Sequence, residues 1–123
     1  MFSATFVAGA AQQHVSLLMN EQLLTMAPVI AKWAAATRNV RRVWLYGSRV
    51  RGTHQPDSDL DVCVEIDPLS TEQEKEESQQ QQKEWRSVLS TLCALNVHLE
   101  PYATEQQKGF IAKEGRLVYQ REG

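Results

Sequence analysis

The chain has 123 residues, with 13 Lys plus Arg against 15 Asp plus Glu and a formal charge of −2. That is near the usual size of one domain, with material for a single modest core. The near-neutral balance argues against a dedicated nucleic-acid binder, which would carry a basic excess, and no apolar run approaches the length of a membrane span. The segment Met1 to Ala11 lacks the basic start of a signal peptide. Cys63 and Cys93 form neither a metal-type spacing nor a disulfide framework. A cytoplasmic protein with two free thiols is expected.

Residues 1–14 read as a loose start with little period, leaving a core of about residues 20–120. From Val15 to Ala36, Leu17, Leu18, Leu23, Leu24, Met26, Val29, Ile30 and Trp33 recur at near-helical spacing. Pro28 interrupts that pattern and suggests a second helix from Ala27 to Thr37, with proline in its first turn. Arg42 to Tyr46 is a branched and aromatic strand that Gly47 ends, and Ser48 can cap a short helix toward Arg51. Gly52 to Ser58 is a loop of turn formers.

Leu60, Val62, Val64 and Ile66 then alternate with Asp59, Asp61, Cys63 and Glu65, which predicts a strand with one apolar face and one bearing carboxylates and a thiol. Ser70 to Leu95 predicts a long helix, with Ser70/Gln73 or Thr71/Glu74 as capping box. Its polar first half is expected to project as a solvated face, and its apolar second half to pack on the sheet. Asn96 to Tyr102 predicts a third strand, Thr104 to Glu114 a helix ended by Gly115, and Arg116 to Gln120 a last strand. Strands alternating with helices imply an α/β layer on a small sheet.

The chemistry concentrates in Leu45-Tyr46-Gly47-Ser48-Arg49-Val50-Arg51-Gly52 and, after a short loop, Asp57-Ser58-Asp59-Leu60-Asp61-Val62. On a strand, Asp59 and Asp61 point the same way with α-carbons roughly 6.5–7 Å apart. So placed, they can converge on one hard divalent cation or bridge two, and a cation would relieve their repulsion. Gly47 lets backbone N–H groups approach a phosphate closely, Ser48 adds a hydroxyl donor, and Arg49 or Arg51 can add charge-assisted contacts. Arg38, Arg41, Arg42, Arg49 and Arg51 make the surroundings locally basic.

Tyr46-Gly47-Ser48 followed by Asp59-Leu60-Asp61, with Gly52, Pro56, Asp57 and Ser58 between, closely resembles the minimal nucleotidyltransferase domains of the polymerase-beta-like superfamily. The tail from Gly109 to Tyr119 is similar to the usual end of such domains. The resemblance implies an α/β (α+β) fold with a small mixed sheet of about four strands. It further implies Mg²⁺ or Mn²⁺ as cofactor on Asp59 and Asp61, and ATP or another NTP as substrate with its phosphates on Gly47 and Ser48. The family places a third carboxylate on the next strand. Here that strand reads Val97-His98-Leu99-Glu100-Pro101; if Val97 and Leu99 flank the family position, His98 occupies it and could act as a base, while Glu100, two residues on and on the same face, is the candidate third carboxylate, in a catalytic or metal-binding role.

The resemblance implies transfer of a nucleoside monophosphate onto a hydroxyl. The chain shows no second domain to shape a small-molecule pocket, which favours a protein acceptor over a drug. Family members of this size resemble antitoxins that pair with, and adenylylate, a HEPN-type toxin ribonuclease. A second copy of the chain is another possible partner. The competing reading is a binding module of the same fold that acts by occlusion without turnover.

Overall fold

The computed structural model describes residues 21–122. Its elements are α1 (Glu21–Ala35), β1 (Val40–Tyr46), α2 (Ser48–Arg51), β2 (Leu60–Ile66), α3 (Glu72–Cys93), β3 (Val97–Pro101), α4 (Glu105–Glu114) and β4 (Arg116–Gln120). The four strands form one mixed sheet in the order β3-β2-β1-β4. β1 runs antiparallel to β2 and to β4, and β2 runs parallel to β3. The parallel pair needs a long crossover, which α3 supplies.

The period-two pattern divides the side chains between two faces. Val43, Leu45, Leu60, Val62, Val64, Val97, Leu99 and Val118 face α1 and α3, where Met26, Ala27, Ile30, Ala34, Trp85 and Leu89 complete the main core. Trp33 and Trp85 meet edge to face at 5.6 Å and join the two helices. The opposite face holds a smaller cluster of Trp44, Tyr46, Cys63 and Ile111, with Tyr102 against it. α4 therefore covers the middle of the face that the sequence marks as polar, and Cys63 is fully buried. Burial pushes its thiol up to about 12, so it stays an inert SH.

Three expectations change. Pro28 does not begin a second helix; it lies inside the continuous α1, on its exposed side. There its ring forgoes one helical hydrogen bond while Met26, Ala27 and Ile30 keep the helix seated on the core. The first residues of the anticipated helix, like the anticipated loose start, lie outside the described residues. The polar half of α3 is solvated as expected but does not stand clear of the body: Ser78 is buried, and the Asn39 amide donates to Gln81 Oε1 at 3.0 Å. At its start, Thr71 and Glu74 form the capping box, and Ser70 also donates its N–H to Glu74. The third change is at the β1–α2 junction, where Gly47 rather than Ser48 is the N-cap and Ser48 is the first helical residue. No helix among the described residues is long and apolar enough to cross a membrane.

Since Pro28 is exposed and interior to α1, Pro28→Ala should stabilise the fold. An interior helical proline costs about 3 kcal/mol relative to alanine, and its stiffening of the unfolded chain offsets part of that. A midpoint shifted to higher urea with an unchanged slope is the expected result.

Candidate nucleotide-phosphate and metal site

The site forms where β1 ends and β2 begins. Gly47 has φ +84° and ψ −162°, a backbone region essentially restricted to glycine. Glycine is required here for a second reason. A Cβ at Gly47 would stand 2.0 Å from Asp61 Oδ2, so the Asp61 carboxyl occupies the space a side chain would need. The bend and the acid are thus packed together. The β1–β2 ladder sets Tyr46 opposite Asp61, and the short helix α2 leaves directly from the bend.

The loop from Gly52 to Ser58 is tied down from within. Gln55 N–H donates to Ser58 Oγ at 2.8 Å, and Ser58 N–H donates to Gln55 O at 3.0 Å. Arg49 supplies the main strut. It is only 3% exposed, and its guanidinium donates to Ser58 O, Pro56 O and Gln22 Oε1 at 2.9–3.1 Å. Its expected place on a phosphate is therefore corrected: the fork is saturated by the loop that delivers Asp59. Arg51 forms an ion pair with Glu114 at 2.8 Å, which joins α2 to the end of α4. Two more of the clustered arginines are committed, with Arg42 paired to Glu65 and Arg41 near Asp67. The anticipated local basicity is largely neutralised in this way.

The two aspartates differ in surroundings. Asp59 is exposed just ahead of β2, and its Oδ1 accepts from the Asn96 amide at 2.8 Å. Asp61 is half-buried. Burial pushes its carboxyl above the ordinary aspartate value; His98 pulls it back, and Asp59 adds to the rise. The β2–β3 register places His98 abreast of Asp61 and Glu100 abreast of Cys63, one step further along. His98 Nε2 lies 2.8 Å from Glu100 Oε1. The structure thus brings Asp59, Asp61 and His98 together at the bend, while Glu100 reaches them through His98. Asn96 went unnoticed in the sequence because only the parallel register reveals that it stands beside Asp59.

Among the described residues no three His, Cys, Asp or Glu side chains form a ready-made metal cage. An Mg²⁺-type ion asks for less: one or two carboxylates, with water and substrate phosphate for the remainder. Asp59 and Asp61 fit that demand. A desolvated carboxyl beside a second one, against a bend free of side chain, is a natural place for a hard cation and an approaching phosphate.

Fold and site together define the class. The chain belongs to the nucleotidyltransferase domain family, whose model matches residues 30–118. The structure is similar to that of a double aspartate-to-glutamate mutant of the MntA-HpeT toxin-antitoxin, with TM-score 0.60 and 15% identity over 78% of this chain and 74% of that one. It is also similar to a toxin-antitoxin crystallised with AMP-PNP, with TM-score 0.54 and 14% identity over 84% of this chain and 74% of that one. A Sulfolobus solfataricus protein designated a nucleotidyltransferase matches with TM-score 0.51 and 17% identity over 86% and 87% of the two chains. No curated protein matches the chain in sequence.

Two outcomes follow from the local physics. Arg49→Lys should lose about 2–4 kcal/mol in chemical denaturation, because an ammonium cannot span three acceptors and would be left buried and underpaired. Asp61→Asn should act in the opposite direction. With its carboxyl raised, the folded state holds the Asp61 proton more tightly than the unfolded chain does. Stability is therefore lost as pH rises from the ordinary aspartate value through the raised one. At neutral pH, without metal, Asp61→Asn should melt higher, by on the order of 1 kcal/mol or less after solvent screening. The gain should shrink on acidification, as seen in melting curves across pH.

Proposed function

We propose that the chain transfers a nucleoside monophosphate, AMP from ATP, to a hydroxyl of a protein partner, and that the partner is a HEPN-type toxin ribonuclease for which the chain is the antitoxin. The observation that carries this reading is the contact between the Asp61 carboxyl and the bare α-carbon of Gly47, with Asp59 alongside. An acidic pair beside a glycine-serine bend joins cation binding and phosphate binding at one point.

In this reading Asp59 and Asp61 hold Mg²⁺ or Mn²⁺, with Glu100 in reserve behind His98. The backbone at Gly47 and Ser48, with the Ser48 hydroxyl, holds phosphate oxygens. When bound, the cation neutralises triphosphate charge and makes a nearby hydroxyl a better nucleophile. The acceptor oxygen bonds to the α-phosphorus as the bond to the bridging oxygen breaks, and pyrophosphate leaves. His98, oriented by Glu100 and abreast of Asp61, is placed to take the hydroxyl proton. Arg51 stands at the rim paired with Glu114, and its guanidinium would have to leave that pair to meet a phosphate. Most of the rate gain in such a reaction comes from positioning and charge, which this short set of residues can supply.

The likeness to two toxin-antitoxin structures, one of them with AMP-PNP, supports a protein partner and an adenine nucleotide. A second reading, occlusion of the partner without turnover, is favoured by His98 standing where the family has a carboxylate.

The chain, Mg²⁺, α-phosphorus-labelled ATP and the product of the adjacent gene should give a labelled partner. Asp59→Asn combined with Asp61→Asn should reduce labelling at least a thousandfold while preserving the complex. A wild-type chain that binds its partner tightly and labels nothing would decide for occlusion.

A further inference from the structure

We infer that the site takes one divalent cation where phosphoryl-transfer sites with an additional carboxylate take two, and that His98 sets the number. The inference rests on the reading of Asp59 and Asp61 as cation ligands.

Two cations about 3.5–4 Å apart need anionic oxygens on both sides of the carboxylate they share. Asp61 lacks them. Across the sheet it stands between Tyr46 on β1 and His98 on β3. Tyr46 is buried and brings a phenol, not a carboxylate, to that flank. On the other flank the nearest side chain is an imidazole. Imidazole suits borderline metals, whereas Mg²⁺ and Mn²⁺ favour carboxylate, carbonyl and water oxygens.

The remaining acids do not fill the gap. Glu100 is the next carboxylate on β3, but it stands abreast of the buried Cys63, two residues along from the Asp61–His98 pair, and turns its Oε1 to His98. Asp59 has Oδ1 engaged by the Asn96 amide, which leaves its other oxygen for a ligand. Glu114, beyond the bend, is paired bidentately with Arg51. The oxygens left at the bend are those of Asp61 and one of Asp59. With substrate phosphate and water they complete one octahedral shell, and they do not supply a second. The face toward an acceptor hydroxyl then presents His98, not a second cation.

The test counts Mn²⁺ by electron paramagnetic resonance on the full chain saturated with a non-hydrolysable ATP analogue, corrected for the analogue alone. One protein-dependent Mn²⁺ per wild-type chain is expected. His98→Asp should bind two, and His98→Asn should stay at one. His98 is exposed, so these variants should fold, and a melting curve checks it. Two ions on the wild type overturn the inference and leave the proposed site standing. None on the wild type overturns the proposed site, and the inference with it. One ion on both wild type and His98→Asp overturns the assignment to His98.

Discussion

The molecule is organised around a contact in which a side chain is missing. Asp61 rests its carboxyl where the Cβ of residue 47 would be, and residue 47 takes a backbone conformation that side chains rarely tolerate. Both conditions are met only by glycine. They fix the exit of β1, the direction of α2 and the position of an acid that burial leaves short of counter-charge. The sheet gives this contact its precision. Asp61 is held by ladders on both sides, to β1 and to β3, so its placement does not depend on a loop.

The supporting parts belong to two layers. Behind the sheet, α1 and α3 provide the main core and carry no site residue. In front, α4 covers Trp44, Tyr46 and Cys63, and its last residue Glu114 holds Arg51. The front layer therefore reaches α2 at the bend through this ion pair. Arg49 is the counterpart inside the loop, a buried cation whose charge is spent on three backbone and amide acceptors. Its role is to keep the approach to Asp59 short and rigid.

Much of this was legible in the residues. The alternation from Asp59 to Ile66 identified β2 and both of its faces, and the glycine-serine bend with the acidic pair identified the family. What stayed hidden was whatever depends on pairing between distant segments. His98 and Glu100 are two residues apart on one strand, and only the parallel register shows that the first stands beside Asp61 and the second beside a buried thiol. Arg49 and Arg51 look alike in sequence, but one lies inside the fold and the other at the rim, because a helix of a single turn sends neighbouring side chains in different directions. Pro28 misled for a related reason. A local rule broke the helix there, and tertiary packing of Met26, Ala27 and Ile30 overrode it.

β3 is the outermost strand on its side of the described sheet. The row Tyr46–Asp61–His98 consequently runs from the interior of the sheet to the edge strand of the described residues. Among the described residues, His98 therefore sits on the edge strand and Asp61 one strand further in.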